Sequence, residues 1–510
     1  MNVFSVSFLK RHELWILMGL FLLTFFLRIY RFEDRIDWAK NFDQTRDIFV
    51  AEHMVRYGEM PVSGHISSGN RMLYPPFYYY FLGALALFFP HHVWITIAVI
   101  AVISTTSLWI YGIGKNVASP FIGLLAAILY AMSLFMIDKA SVLSVNVGVP
   151  FFTCGVFAVF SKNQIFRYIG YGFLLCSGVI HASGFVGAAL VFGTDILTRK
   201  YSIRNILGTL FFMLYCIFLL FFPFIIASGP SVLIRWFSVG QLIDTSHAGN
   251  TFFRSIGMFW DRWYMLFGME PFDISVIVGS FVCLFCTFFA FFGKQRKIIS
   301  ILAFNCLLFF LFGAMKKGEF QSWYFDYVYP FLFLFIGIVI VCAGKQISYI
   351  RYGIGVLCML MMSTTLFVFF TRPPAEFTSK KIDTIVSHVL VDAKKQAFAY
   401  ETVLITGMVN FPGSAYPVDF LLSMYAISFE ERTGIKMTVS GLERDGVHMP
   451  TYVVHRSSGY EHVYYICLAF DKAPKRCIGD IYRGAYVFEK EIESPDEKFR
   501  IFLFKRMQKN

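Results

Sequence analysis

Apolar residues gather along the chain in runs of about 20, the length that carries a helix across roughly 30 Å of hydrocarbon, and short polar stretches separate them. The runs lack the two-residue alternation of a barrel strand. Lipid satisfies no backbone polar group, so the pattern predicts membrane-spanning helices. Spans are expected at 13–31, 92–113, 119–137, 147–160, 168–182, 184–197, 205–227, 273–293, 298–314, 326–342 and 352–370, eleven in all. The first follows Lys10 and Arg11 as the core of a signal peptide would. It has no small-residue cleavage site and is long enough to cross, so a retained helix is expected. The segment 75–89, PPFYYYFLGALALFF, is apolar but short, which suits an interfacial or re-entrant helix.

Charge orients these spans. With the N-terminus inside, the inner ends carry Lys10, Arg11, Lys115, Lys162, Arg167, Arg199, Lys200, Arg204, Lys294, Arg296, Lys297, Lys345 and Arg351 against Glu13 and Asp195. That is the positive-inside rule. The remaining charge of residues 1–370 gathers in the outer loops 32–74, 228–272 and 315–326, so any chemistry is expected to face outward.

Composition then shifts at Arg372-Pro373-Pro374, with 36 charged residues in the last 140 against 42 in the first 370. Two domains follow. Residues 1–370 form a transmembrane domain whose outer loop, 32–91, carries juxtamembrane helices, and 371–510 form a soluble α/β domain, on the outer face because eleven spans is odd. The C-terminal pattern predicts helices at 381–397 and 418–432 and strands at 402–407, 451–455, 462–470 and 499–505. The fold class is an α-helical polytopic membrane protein with a C-terminal soluble α/β domain. Of ten cysteines, eight lie in or beside apolar runs and read as packing; Cys467 and Cys477 could form a disulfide if their domain is exported. A chain that is 57% hydrophobic and 19% aromatic fits this class, and no nucleic-acid partner is expected.

Candidate chemistry begins at NFDQTRD, residues 41–47. Asp43 could simply cap an amphipathic helix over 44–59, with Ile48, Ala51 and Val55 on one face. A cap needs one carboxylate, however, and a helix starting here gathers Asp43, Arg46 and Asp47 at one end. Ionisable residues so near a membrane core mark function when they line a cavity.

The stretch FDQTRDIFVAEHMVRYGEMPVSGHISSGNRMLYPPFYYYFLGALALF resembles the first outer loop of type C glycosyltransferases, specifically the bacterial branch related to protein O-mannosyltransferases and the lipid A aminoarabinose transferase. The matching motifs are Asp43-Gln44-Thr45-Arg46-Asp47, Gly58-Glu59 and Pro75-Pro76-Phe77-Tyr78-Tyr79-Tyr80. Weaker similarity continues through 114–142 and through LLCSGVIHASGF, 174–185, so that the architecture of roughly 10–370 is covered.

The resemblance implies transfer of a monosaccharide from a polyprenyl-phosphate donor to a lipid, protein or glycan acceptor, at the outer face of the cytoplasmic membrane of a bacterium. The attacking hydroxyl or amine must lose a proton, and the family's motif makes Asp43 the general base. A single displacement would invert the anomeric carbon. The leaving phosphate needs positive charge rather than a proton, for which Arg46, Lys139 and His181 are candidates. Asp47, Arg71 and Tyr324 complete the expected substrate-binding set.

Plainer readings stand beside these. Lys139 could snorkel to headgroups or pair with Asp138, and His181 could be a satisfied interfacial histidine. The aromatics of 316–333, Trp323 above all, fit an interfacial belt, and the loop 227–273 fits an amphipathic helix on the headgroups. Where the aminoarabinose transferase has Glu-Lys before its aromatic helix, this chain has Leu73-Tyr74. That departure leaves a divalent metal open and no cofactor certain. The rival functions are a transporter or flippase of a lipid-linked glycan, which would need charged or broken midplane helices, and a silent glycan-binding protein.

Overall fold

The computed structural model describes residues 11–36, 42–58, 60–64, 74–140, 146–199, 201–231, 233, 236, 326–346, 359, 362–363, 366–375, 378–396, 403–411, 414–417, 462–469, 486–495 and 499–506. The expected spans 273–293 and 298–314, most of 352–370, the helix 418–432, the strand 451–455 and Cys477 lie outside them. Two compact units emerge, one of Met1–Tyr30, Val62–Tyr78 and Thr96–Arg372, the other of Arg31–Pro61, Tyr79–Ile95 and Pro373–Asn510.

The first unit is helical. Helix α1 runs Glu13–Ile29; the next helices in chain order, α2 (Phe32–Arg35), α3 (Phe42–Tyr57) and α4 (Phe77–Phe88), carry the outer-loop sequence. Of these, α2, α3 and most of α4 belong to the second unit. Then come α5 (His92–Ser104), α6 (Thr106–Val117), α7 (Pro120–Met132), α8 (Leu134–Lys139), α9 (Gly148–Val159), α10 (Gln164–Ile180), α11 (Ser183–Thr198), α12 (Ile203–Ser228) and α13 (Tyr329–Gln346). Local sequence sets several ends. Ser119 accepts a hydrogen bond from Ile122 N with Pro120 in the first turn, and Asn163 accepts from Ile165 N at 2.9 Å. Gly229, at φ 78°, closes α12 in a left-handed conformation that glycine adopts without a Cβ penalty.

The expected span 119–137 is two helices, because Ser133 takes an extended backbone between α7 and α8. Among the described residues, His92–Val117 and Ile203–Ile226 are long and apolar enough to cross a membrane, and six further apolar helices are shorter. The 12 residues of α9, for example, rise about 18 Å.

One core joins α1, α6, α7, α9, α10, α11 and α13 through Leu20, Tyr111, Tyr130, Phe152, Leu174, Ala188 and Tyr329. Glycines let backbones meet there: a Cβ on Gly114 would sit 2.5 Å from Gly123 Cα, so α6 and α7 pack in direct contact. Several polar groups inside are matched. Thr24 donates to Ser107 at 2.9 Å, and Arg28 lies over the Tyr130 ring, 4.9 Å from its centroid. At the end expected to face the cytoplasm, buried Asp195 accepts from the Tyr171 and Tyr201 hydroxyls, both at 2.8 Å, and pairs with Arg199 at 3.0 Å.

The second unit holds α3, most of α4 and a C-terminal sheet. Helix α14, Ser379–Lys395, begins within two residues of the expected 381–397. Strands β1 (Val403–Phe411), β2 (Ser414–Pro417), β3 (His462–Ala469), β4 (Tyr486–Ile492) and β5 (Phe499–Arg506) form one sheet in the order β2-β1-β3-β5-β4. Only β1 and β3 run parallel; the other pairs are antiparallel. Strands β2 and β4 were not expected. Strand β4, at the edge of the sheet, carries three consecutive charges, Glu489, Lys490 and Glu491, and charged side chains are common on an exposed edge strand. The apolar stripe of α14, from Ile382 through Val389 to Ala393, is buried, and Tyr464 of β3 donates to Asp392 at 2.8 Å.

Candidate active site

The NFDQTRD motif opens α3, where Asp43 is the second helical residue. First-turn backbone N–H groups lack intrahelical acceptors and favour negative charge, so the position suits a carboxylate that must stay ionised to accept a proton. The Asp43 side chain itself lies outside the described residues.

The rest of the motif is buried. Gln44, Thr45, Arg46 and Asp47 are each at most 5% exposed. Arg46 donates twice to Asp47 Oδ1, from Nε at 2.9 Å and from Nη2 at 2.7 Å. The sequence offered Arg46 as a group to hold the leaving phosphate; in the fold it is paired with Asp47. Across from α3, α4 brings Tyr79 into contact with both members of the pair, and Met54 of α3 packs at Gly83, where a Cβ would overlap its terminal carbon. Burial pushes the Tyr79 phenol up from its ordinary value, with Arg46 opposing and Asp47 adding to the shift, so it stays a neutral donor. One helical turn further, buried Glu52 stands 3.8 Å from His92, a pairing no motif announced.

The other candidates sit in the first unit. Lys139, at the end of α8, pairs with fully buried Asp326 at 3.2 Å, while the neighbour expected to pair with it, Asp138, instead accepts from Arg372 at 2.5 Å. The lysine therefore does not only snorkel; its nearest anion belongs to the chain that leads into α13. His181 ends α10, and its Nδ1 lies 2.6 Å from Ser183 Oγ and 3.4 Å from Ser183 N. Because the backbone N–H must donate, Nδ1 accepts and the ring proton is assigned to Nε2. The imidazole stacks on Tyr327, whose hydroxyl donates to Ser177 O at 3.1 Å. Lys139 and His181 are thus gathered on consecutive residues, Asp326 and Tyr327. Tyr74, which stands at the departure from the Glu-Lys pattern, is buried against Trp236, and its hydroxyl accepts from Ala182 N at 3.4 Å.

Arg71 and Tyr324 lie outside the described residues. Among those described, no group of three or more His, Cys, Asp or Glu side chains is placed to hold a metal ion.

No protein-family model matches the chain, and no curated protein sequence matches it. Solved structures do. ArnT from Cupriavidus metallidurans in the apo state aligns with a TM-score of 0.61 at 11% identity, covering 97% of this chain and 98% of that one. The same protein bound to undecaprenyl phosphate aligns with a TM-score of 0.58 at 12% identity, covering 96% and 98%. The chain has the fold of ArnT. The archaeal oligosaccharyltransferase AglB from Archaeoglobus fulgidus, in complex with an inhibitory peptide and a dolichol-phosphate, is also similar, with a TM-score of 0.47 at 11% identity over 90% of this chain and 70% of that one.

Within this fold, sequence reasoning gave no role to Asp326, Tyr327, Ser183, Gln44 or the Glu52–His92 pair. Asp326 had a usable signal, a carboxylate at the very edge of an expected span, where an unpaired charge is costly. The others had none, since a Tyr, Ser or Gln beside an apolar run is ordinary in any membrane protein.

Proposed function

We propose that this protein is a membrane glycosyltransferase that moves a monosaccharide from a polyprenyl-phosphate donor to an acceptor at the outer face of the cytoplasmic membrane, with inversion. The observation that carries the reading is the acidic first turn of α3, with Asp43 at its second position and a buried Arg46–Asp47 pair beneath, in a chain folded like ArnT. One neighbour of that fold holds undecaprenyl phosphate, which is why a polyprenyl phosphate is the donor class chosen.

In the reaction, the acceptor heteroatom bonds to the anomeric carbon as the bond from that carbon to the phosphate oxygen breaks. The acceptor proton passes to the Asp43 carboxylate, and the electron pair leaves on polyprenyl phosphate. Lys139 has three N–H donors and spends part of them on Asp326, leaving it able to share a phosphate oxygen; His181 offers its Nε2 proton to the same anion. Arg46 acts differently from the sequence reading: it holds Asp47 and Tyr79, and so fixes the turn that carries the base. Arg71 and Tyr324 remain in the proposed substrate-binding set, residues 371–510 are proposed as an extracytoplasmic domain, and the acceptor is a lipid, protein or glycan of the envelope.

Deletion of the gene, followed by mass spectrometry of lipids, glycoproteins and surface glycans, would identify the missing sugar. Wild-type protein should restore it, and Asp43→Asn, present in the membrane at equal level, should restore at least a hundredfold less. Restoration by Asp43→Asn equal to wild type would refute the reading.

A further inference from the structure

Gln44 is the third residue of α3, is 1% exposed, and has no hydrogen-bond partner for either Oε1 or Nε2. Its neighbours do not share that state, because Arg46 is bound to Asp47 and Tyr79 contacts both. Buried side-chain amides in folded proteins are nearly always matched, so an amide unmatched at both atoms requires a reason. Position supplies one. Gln44 shares a helix face with Asp47 and Ile48, three and four residues on, and side chains of a helix lean toward its N-terminus. The amide therefore belongs to the first turn of α3, next in sequence to Asp43. There the first-turn N–H groups also lack helical acceptors.

The chemistry of the group says what it would take. A primary amide offers an acceptor and two donors in one plane, which complements a hydroxyl, itself both donor and acceptor. It suits a phosphate less, since an anion at this end would be met by cations, and Arg46 is already held by Asp47. We infer that Gln44 is a specificity-determining residue, hydrogen-bonded to a sugar hydroxyl of the ligand at the N-terminal turn of α3. This rests on the glycosyl-transfer reading above. The hydroxyl belongs either to the transferred sugar or to a glycan acceptor.

The test uses the full-length chain in lipid nanodiscs and Gln44→Met, which keeps length and volume and removes both polar atoms. Thermal unfolding is measured without ligand, with undecaprenyl phosphate, and with undecaprenyl phosphate bearing glucose, mannose, galactose or arabinose; transfer is read in the complemented deletion strain. Because Met removes unmatched buried polar atoms, the variant should unfold at the same or a higher temperature than wild type, yet transfer about tenfold less or worse. If it also loses the extra stabilisation that a sugar-bearing lipid gives wild type over the bare lipid, the hydroxyl is the donor's. If it keeps that increment while transfer still falls, the hydroxyl is the acceptor's. Wild-type transfer by Gln44→Met would overturn the inference, and so would a lowered unfolding temperature, which would reveal a structural partner such as a fixed water. Should undecaprenyl phosphate leave wild type unstabilised and Asp43→Asn transfer normally, the glycosyl-transfer reading itself fails and takes this inference with it.

Discussion

Asp47→Ala tests whether the Arg46–Asp47 pair is what holds the first turn of α3. The two side chains are 6% and 0% exposed, and two guanidinium nitrogens converge on one carboxylate oxygen at 2.9 and 2.7 Å. At a separation near 3 Å and an effective dielectric of about 20, the attraction is about 5 kcal/mol. Most of it offsets the desolvation of the two ions, so the pair as a whole adds little over an apolar pair. Removing one partner is another matter: the guanidinium stays buried without its anion, which costs about 3–5 kcal/mol. The Tyr79 phenol loses a partner as well, about 1 kcal/mol more. The assay is denaturant and thermal unfolding of the purified chain in detergent for Asp47→Ala, Arg46→Met and the double variant Arg46→Met/Asp47→Leu. Each single change should destabilise by several kcal/mol, and the double variant should come back to within about 2 kcal/mol of wild type. A double variant as unstable as the sum of its parts would refute the pair as the organising contact. Transfer activity adds a second reading, since the double variant should recover fold but not rate if the pair positions the base.

Asp326→Asn should destabilise the chain by about 2–4 kcal/mol, because Lys139 is left largely buried beside Phe135 without its carboxylate; the swap Lys139→Asp/Asp326→Lys should restore stability but not transfer, and restored transfer would remove Lys139 from the phosphate-holding set. In the C-terminal unit, burial first and the bond to Asp392 second raise the Tyr464 phenol above its ordinary value of 10.0, so the folded chain keeps that proton longer than the unfolded one. The associated stability is complete below about pH 10 and is lost as pH rises past it. Unfolding followed from pH 8 to 11 should show an alkaline decline that Tyr464→Phe diminishes, and an unchanged decline in that variant would refute the assignment.

The parts of the fold legible in the sequence are those governed by periodicity. The ten apolar runs from 13 to 342 other than the two outside the described residues all appear as helices, most with ends within about four residues of expectation, because burial of an apolar face or length sets them. Ser133 was not legible: its run is apolar throughout, and the break is a backbone choice that hydropathy does not record. Strand β4 was missed because three consecutive charges, Glu489-Lys490-Glu491, resemble a loop, and β2 because four residues give no period. Among the candidate site residues, the motif held both members of the Arg46–Asp47 pair, whereas the partner of Lys139 was not legible, since Asp326 is 187 residues away and nothing local pairs them.

Those partners change what the charges can do. Read singly along the chain, Arg46, Lys139 and Asp138 look like free charges awaiting substrate; in the fold each meets an opposite charge, Asp47, Asp326 and Arg372. Each pairing avoids the large penalty of an uncompensated ion in a low-dielectric setting. Under the proposed function, an anionic donor would share Lys139 with Asp326 rather than fill a vacant cationic hole, so net affinity for the phosphate alone is expected to be modest. Discrimination consequently falls to neutral groups that pair with neutral ones, where a missing hydroxyl leaves a buried donor or acceptor unmatched. Gln44 is such a group, one residue from the proposed base Asp43, and its unmatched amide is where the proposed specificity is most open to measurement.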